Sequence, residues 1–405
     1  KLLEEARESQ LAVRRTGAMG GRASSEAGAA GAKTWAEVAK QAVGPGAREG
    51  VAVLELALAA GPPAAASDAG SATAQDQPVA PRITASCVVQ SGKKDQDRFV
   101  CLPKFFAGPD LAFCGVFDGH GRDGDLVAEA VALDLPKTAH GLLLSKLKAA
   151  DAPPLGELVS GVLEGAFDTL QTKLDAEFEH DVVEPTMRLK KEIEEAQKVP
   201  LGDIPLPLGS GTTATVFFVS SDKLFTAAVG DSRAVLCRKD PTKVNHVVAE
   251  DLTKDQNVAA LTEEEKADLE KTTGGSITGR HIAADFVDGM LQLTHSLGDC
   301  PLHRKGVVSH KPQIKITDLD DAVLFFMAGS DGLWDHFSSE EAVQYVYVQV
   351  RKELEGNDLD QDSVGRAFQT VSRELAKECS SRAASKGHQP DDISILVVSL
   401  AAWYE

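Results

Sequence analysis

The stretch Leu111-Ala112-Phe113-Cys114-Gly115-Val116-Phe117-Asp118-Gly119-His120-Gly121 decides how this chain folds. Its first seven residues are too apolar for a surface and too few for an ordinary helix, so they predict a buried strand. The run stops at a carboxylate, and two glycines bracket the histidine beside it. Glycine lets a backbone turn sharply and brings a carbonyl close to a ligand, so the Asp118 side chain and the Gly119 carbonyl could bind one cation. Taken alone, Asp-Gly after a strand is more often an ordinary turn.

The same event recurs. Val323–Ala328, within a strand expected over Ala322–Ala328, leads into Gly329-Ser330-Asp331-Gly332-Leu333-Trp334-Asp335, and Leu224–Val229 leads into Gly230-Asp231-Ser232-Arg233. Asp391-Asp392 opens a further strand, Ile393–Leu400. Three strand ends and one strand start can lie at the same edge of a sheet pair, which would gather Asp118, Asp231, Asp331 and Asp391. Four carboxylates cannot share a site without cations. Oxygen-only ligation selects Mg²⁺ or Mn²⁺ over zinc or copper, and two such ions activate a bridging water and clamp a phosphoryl group.

Around these segments the chain reads as a mixed domain. Further strands are expected over Ile83–Val89, Thr213–Val219 and Ala234–Arg238. Apolar stripes at helical spacing run from Leu155 to Leu174, over Glu340–Leu354 and over Val364–Cys379. Strands come in hairpin-like clusters and helices in separate blocks, which favours α+β over a βαβ parallel sheet. Residues 1–80 are dominated by Ala, Gly and Ser and read as an N-terminal extension, with a helix-like opening at Leu2–Arg15 and a strand-like patch at Val51–Leu58. One domain is expected over 81–402.

Bulk composition narrows the function. With 43% hydrophobic and 25% charged residues among 405, the chain can bury a large core, and disorder throughout is excluded. A formal net charge of −19 repels nucleic acid and anionic membranes. The longest apolar run, Val51 to Ala60, is interrupted by Glu55 and is half the length a bilayer requires, so no membrane span is expected. The six cysteines show no CxxC pair, which points to a reducing compartment, cytoplasmic or nuclear. The chain begins at Lys1 rather than Met, so a preceding targeting signal would be out of view.

Taken in order, the motifs carry a resemblance. Asp97-Arg98-Phe99, Val116-Phe117-Asp118-Gly119-His120-Gly121, Gly211-Thr212-Thr213-Ala214, Gly230-Asp231-Ser232-Arg233-Ala234, Leu297-Gly298-Asp299, Asp331-Gly332-Leu333-Trp334-Asp335 and Asp391-Asp392-Ile393-Ser394 resemble the PPM-type, or type 2C, metal-dependent protein serine/threonine phosphatases. The resemblance covers residues 82 to 400. It implies a four-layer α-β-β-α sandwich of two antiparallel sheets flanked by helices, with metals in a cleft at one end.

By position, Asp118 resembles the carboxylate that bridges two Mg²⁺ or Mn²⁺ ions, with the Gly119 carbonyl on one and Asp331 and Asp391 on the other. Asp97 would steady metal-bound water, Asp231 and Asp335 resemble ligands of a weaker third metal, and His120 resembles the general acid that protonates the leaving alkoxide. Metal-bound hydroxide would attack phosphoserine or phosphothreonine directly, with no covalent phosphoenzyme. No Cys is followed six positions later by Arg, so a cysteine phosphatase loop is absent. The partners implied are phosphoprotein substrates, and the chain is expected to be a monomer. The runner-up is a regulatory pseudophosphatase, which would typically have lost metal carboxylates.

The chain departs from the family pattern in places. Where members usually carry Arg or Lys before the first Asp, Gly92-Lys93-Lys94-Asp95-Gln96-Asp97 looks shortened, leaving Lys93 or Lys94 to grip the substrate phosphate. Gln96 stands for the usual Glu, His295 for Arg, and Asp392 for Asn, so choosing Asp391 over Asp392 rests on register alone. Residues about 150–208 read as an insertion and about 255–289 as a flap, in which Gly274–His281 mimics a phosphate loop without its Lys-Ser/Thr ending.

Overall fold

Leu111–Phe117 is a strand buried along its whole length, as its composition requires. The computed structural model of the chain describes residues 49–54, 83–92, 94–106, 111–148, 153–197, 206–207, 209–243, 245–273, 276–278, 281–283, 287–288, 290–356 and 361–400. All lie in the compact unit Ala39–Glu405. Leu2–Arg15 falls outside the described residues.

Two antiparallel sheets form the centre. One runs in the order Gln313–Asp318, Lys223–Val229, Ala214–Val219, Leu111–Phe117, Arg98–Phe106. The other runs Glu49–Leu54, Ile83–Gln90, Ile393–Ser399, Val323–Gly329, Arg233–Lys239, Val247–Asp251. Side chains alternate across each strand, so Ala112, Cys114 and Val116 face the second sheet, where Leu236, Phe326 and Leu396 meet them. The rings of Phe217 and Phe326 stand 4.6 Å apart and tie one sheet to the other.

Helices cover both outer faces. Ser339–Leu354 and Gln361–Ser385 bury Val346, Val350, Phe368 and Leu375 against Val235, Met327 and Ile395 of the six-stranded sheet. The first of them starts at a capping box in which Ser338 and Glu341 satisfy each other's backbone N–H groups. On the five-stranded sheet, Phe105, Phe113 and Phe218 form an aromatic cluster, and His140 of the helix Gly124–Leu147 meets Phe105 edge-on. Leu155–Phe178 packs on that helix. The result is the expected α-β-β-α sandwich.

Several elements take a place in the fold that their composition did not indicate. Glu49–Leu54, within the stretch read as an extension, is the edge strand beside Ile83–Gln90, so the sheet begins before residue 81. Leu155–Phe178, read as the start of an insertion, is a core helix; what projects beyond it is the continuation through a π-turn at Glu179–Val183 into Glu184–Gln197. Arg98–Phe106 contains Pro103 and shows irregular register between Leu102 and Phe106, tolerable because it is an edge strand. Within the flap, Ser276–Thr278 pairs antiparallel with His281–Ala283.

Because the two sheets meet through few large rings, Phe326→Ala should lower the unfolding free energy by about 3–5 kcal/mol. An unchanged urea midpoint would contradict this account of the interface.

Candidate active site

Antiparallel pairing brings the acidic segments together. Arg98 pairs with Phe117, which sets Asp97 beside Asp118. The Thr213 N–H donates to the Asp118 carbonyl at 2.9 Å, and the Asp118 N–H donates to Thr213 Oγ1 at 3.0 Å. On the other sheet Gly329 pairs with both Arg233 and Ile395, so the turn holding Asp231, the strand end before Asp331 and the strand start after Asp391 are neighbours. The Asp231 turn is fastened from behind by a two-pronged ion pair of Arg233 with Asp255 and by hydrogen bonds between Gly230 and Gln256.

These carboxylates repel one another. Burial and then the charges of Asp97, Asp331, Asp231 and Asp391 push Asp118 well above the usual carboxylate range. Burial, then Asp231, Asp391, Asp335 and Asp97, do the same to Asp331. Asp231 is raised by burial against the pull of Asn257, whose Nδ2 donates to it at 3.0 Å. Asp97, 3% exposed, is pushed up to about 7 by burial, although Ser330 Oγ donates to its Oδ2 at 2.8 Å. Its other oxygen, Oδ1, is buried without a partner. Asp335 is exposed but acts on Asp331, so it belongs to the same cluster.

The two adjacent acids near the chain end differ in what they hold. The Asp392 carboxylate accepts three backbone N–H groups, from Gly92 at 2.6 Å, Asp95 at 3.1 Å and Gln96 at 2.6 Å. It is therefore occupied in shaping the 92–96 loop. A Cβ on Gly92 would lie 2.3 Å from the Asp391 carbonyl, so only glycine allows that approach. Asp391 is exposed, and its charge reaches Asp97, Asp118 and Asp331. Buried Gln96 donates from Nε2 to the Gly121 carbonyl at 2.9 Å. Lys94 is exposed and its charge bears on His120; Lys93 lies outside the described residues.

His120 sits on a small antiparallel ribbon in which Gly119–His120 pairs with Gly211–Thr212, and these pair with Leu297–Gly298. Its Nε2 lies 2.7 Å from Asp299 Oδ2. Burial works against its charged form, but the charge and hydrogen bond of Asp299, with help from Asp231, raise it above the usual histidine value. Asp299 stands in the motif Leu297-Gly298-Asp299 that resembles the family, but residue order alone gave it no role, because its partner His120 is 179 positions away. Trp334 donates from Nε1 to the carbonyls of Arg233 and Gly329, which makes it packing at the site wall.

Mutually repelling, part-buried carboxylates with a free Oδ1 on Asp97 are a donor set of hard oxygens suited to Mg²⁺ or Mn²⁺. The acids form an electrostatic cluster rather than one tight knot: among the described residues no three His, Cys, Asp or Glu side chains close around a single point as a ready-made metal cage. Convergence on one point, expected from the strand ends, is thus a shared neighbourhood.

A profile of the family described as protein phosphatase 2C matches residues 157–387, more than half of the chain. The chain belongs to the protein phosphatase 2C family. Members of this family are protein serine/threonine phosphatases, generally dependent on Mg²⁺ or Mn²⁺. Among its relatives, the probable protein phosphatase 2C 28 of Arabidopsis thaliana is 28% identical over 287 residues, covering 71% of this chain and 71% of the relative. Protein phosphatase 1L of Bos taurus is 31% identical over 258 residues, covering 63% of this chain and 61% of its own length. The crystal structure of a serine-threonine phosphatase 2C from Toxoplasma gondii shares the fold, with a TM-score of 0.56 at 20% identity, over 78% of this chain and 94% of that one.

Within this phosphatase 2C framework the adjacent acids separate by experiment. Asp392→Ala, which strips three N–H groups of their acceptor, should cost about 2–4 kcal/mol of stability. Asp391→Ala should cost little, and equal losses by chemical denaturation would erase the distinction. The raised acids also fix a pH dependence. The folded, metal-free state holds Asp97 protonated up to about pH 7, whereas the unfolded chain releases that proton near about 4. Stability of chelated protein therefore falls as pH rises through that window. Thermal unfolding at pH 5 and pH 8 should show the drop, and Asp97→Asn should flatten it; parallel slopes would acquit Asp97.

Proposed function

We propose that this chain is an active Mg²⁺- or Mn²⁺-dependent phosphatase for phosphoserine and phosphothreonine in proteins, and that His120 is its general acid. The observation that carries the reading is the cluster of repelling carboxylates at one sandwich end, with His120 at its rim. Asp118 and the Gly119 carbonyl, with Asp331 and Asp391, would hold two ions, and Asp231 and Asp335 a weaker third. Bound there, Mg²⁺ or Mn²⁺ supplies an activated water and counter-charge for the phosphoryl oxygens.

The chain's own groups supply the rest. Asp97 orients water through its free Oδ1. Lys94, with Lys93 beside it in sequence, offers positive charge to the substrate phosphate as a point charge rather than a fork. His120 gives its proton to the departing seryl or threonyl oxygen, and water attacks phosphorus directly, so no side chain is phosphorylated. A cysteine nucleophile has little support here: all six cysteines are buried and free, and burial pushes Cys87, Cys237, Cys300 and Cys379 up, away from thiolate.

The test is hydrolysis of p-nitrophenyl phosphate with Mn²⁺. Turnover should vanish with chelator and in Asp118→Ala. His120→Ala should slow an alkyl phosphomonoester by about 100-fold or more while sparing p-nitrophenyl phosphate, whose leaving group scarcely needs a proton. No metal-dependent turnover from folded protein would leave a binding module in place of an enzyme, and equal losses on both substrates would remove His120 from the acid role.

A further inference from the structure

Asp299 is a fully buried carboxylate at the start of the short helix Cys300–Arg304, yet its side chain makes no capping hydrogen bond there. Its backbone is left-handed at φ 40°, a conformation that costs a non-glycine residue energy and persists only where surroundings impose it. Both side-chain contacts fall on one oxygen: Oδ2 accepts from Ser296 Oγ at 2.5 Å and meets His120 Nε2 at 2.7 Å. Oδ1 is buried without a partner. An ordinary cap or turn residue would not spend its charge this way, and a buried ion pair is weak evidence for stability.

The surroundings are cut to fit that contact. A Cβ on Gly211 would lie 2.3 Å from Asp299 Oδ2 and 2.6 Å from His120 Nε2, so the position opposite the pair admits only glycine. The ribbon of Gly119–His120, Gly211–Thr212 and Leu297–Gly298 sets the two residues side by side although 179 positions separate them. Gln171 of the helix Leu155–Phe178 holds the ribbon's outer strand, donating to the Gly298 carbonyl at 3.0 Å and accepting from its N–H at 2.9 Å. The pair is lopsided in exposure: the Asp299 side chain is 0% exposed and that of His120 21%, so the imidazole is the member that opens outward.

We propose that Asp299 is a positioning residue for the phosphatase reaction, fixing the His120 ring through Nε2 so that Nδ1 is presented to the leaving oxygen of the substrate. The carboxylate accepts, so Nε2 carries the hydrogen of that bond and Nδ1 is the nitrogen left to deliver a proton. The inference rests on the phosphatase reading above and adds to it a residue, a ring orientation and a reason for Gly211.

The experiment compares an alkyl phosphomonoester with p-nitrophenyl phosphate in the Mn²⁺-loaded full chain. Asp299→Asn should lower kcat on the alkyl ester by about 10–100-fold, and on p-nitrophenyl phosphate by less than about threefold. Added to His120→Ala it should cause no further loss on the alkyl ester, since both act through one group. Gly211→Ala, which drives a methyl into the contact, should reproduce the selectivity, and Ser296→Ala should show a smaller version of it.

A second readout needs no turnover. Nitrogen-NMR of labelled histidine rings should show a protected Nε2 proton on His120 in the parent and its loss or faster exchange in Asp299→Asn or, if that variant does not fold, in Gly211→Ala, whose methyl enters the contact. Equal losses on both substrates, additivity with His120→Ala, or a protected proton that survives these changes would overturn the proposal while leaving an active parent as a phosphatase. A parent without Mn²⁺-dependent turnover would overturn both readings.

Discussion

Antiparallel pairing delivers every other strand end to the same edge of a sandwich, and the placement of charge in this protein follows from it. Phe117 and Val229 in one sheet and Gly329 in the other end at that edge, while Arg98, Ala214, Arg233 and Ile393 begin there. All of these but Ala214 carry an acid within two residues, so Asp97, Asp118, Asp231, Asp331 and Asp391 are pressed together by ladders that cannot splay. The apolar core, Phe217 against Phe326 among others, holds the ladders shut. Repulsion that a loop would relieve by moving is kept here as carboxylates raised out of their usual range. Folding energy won in the core is thereby kept at the edge as a repulsion that cations would relieve.

Not every acid at the edge is available for that purpose. Asp392 is consumed by the N–H groups of the 92–96 loop, and Asp255 by Arg233. Hydroxyls do finer work: Thr213 Oγ1 and Ser232 Oγ share a hydrogen bond beneath Asp118, and Ser330 Oγ joins Asp97 to the Ser394 N–H. These contacts satisfy the backbone around the acids while leaving Asp97 Oδ1 free.

The histidine side of the site is built on a different principle. Charge repulsion orders the acids, whereas an attraction in a dry environment orders His120, with Asp299 on a ribbon that carries the outgoing end of the flap region. Gln171 extends that link to the helix layer, so the group assigned to proton delivery is tied to a helix that composition suggested was an insertion. The geometry around His120 and the geometry of the acids are thus held by separate parts of the fold.

Much of this was legible from residue order. The wholly apolar Leu111–Phe117 could be nothing but a buried strand, alternation marked its neighbours, and the strand-terminating acids named the candidate site. Other elements gave no signal. Gly124–Leu147 buries Val131, Leu135 and Leu143 among alanines but also exposes Leu144 and Leu147 and holds Pro136, so no clean apolar period stands out. Arg98–Phe106 hides behind Pro103, whereas Glu49–Leu54 overlaps the strand-like patch from Val51 and only its place at the sheet edge beside Ile83–Gln90 was hidden. The sequence by itself determined which acids exist and that apolar runs would deliver them to strand ends. Tertiary structure alone set the Asp392 carboxylate on the N–H groups of Gly92, Asp95 and Gln96, and paired His120 with Asp299 and Gly211, because hydrogen bonds and close approaches between residues far apart in the chain exist only once the sheets have closed.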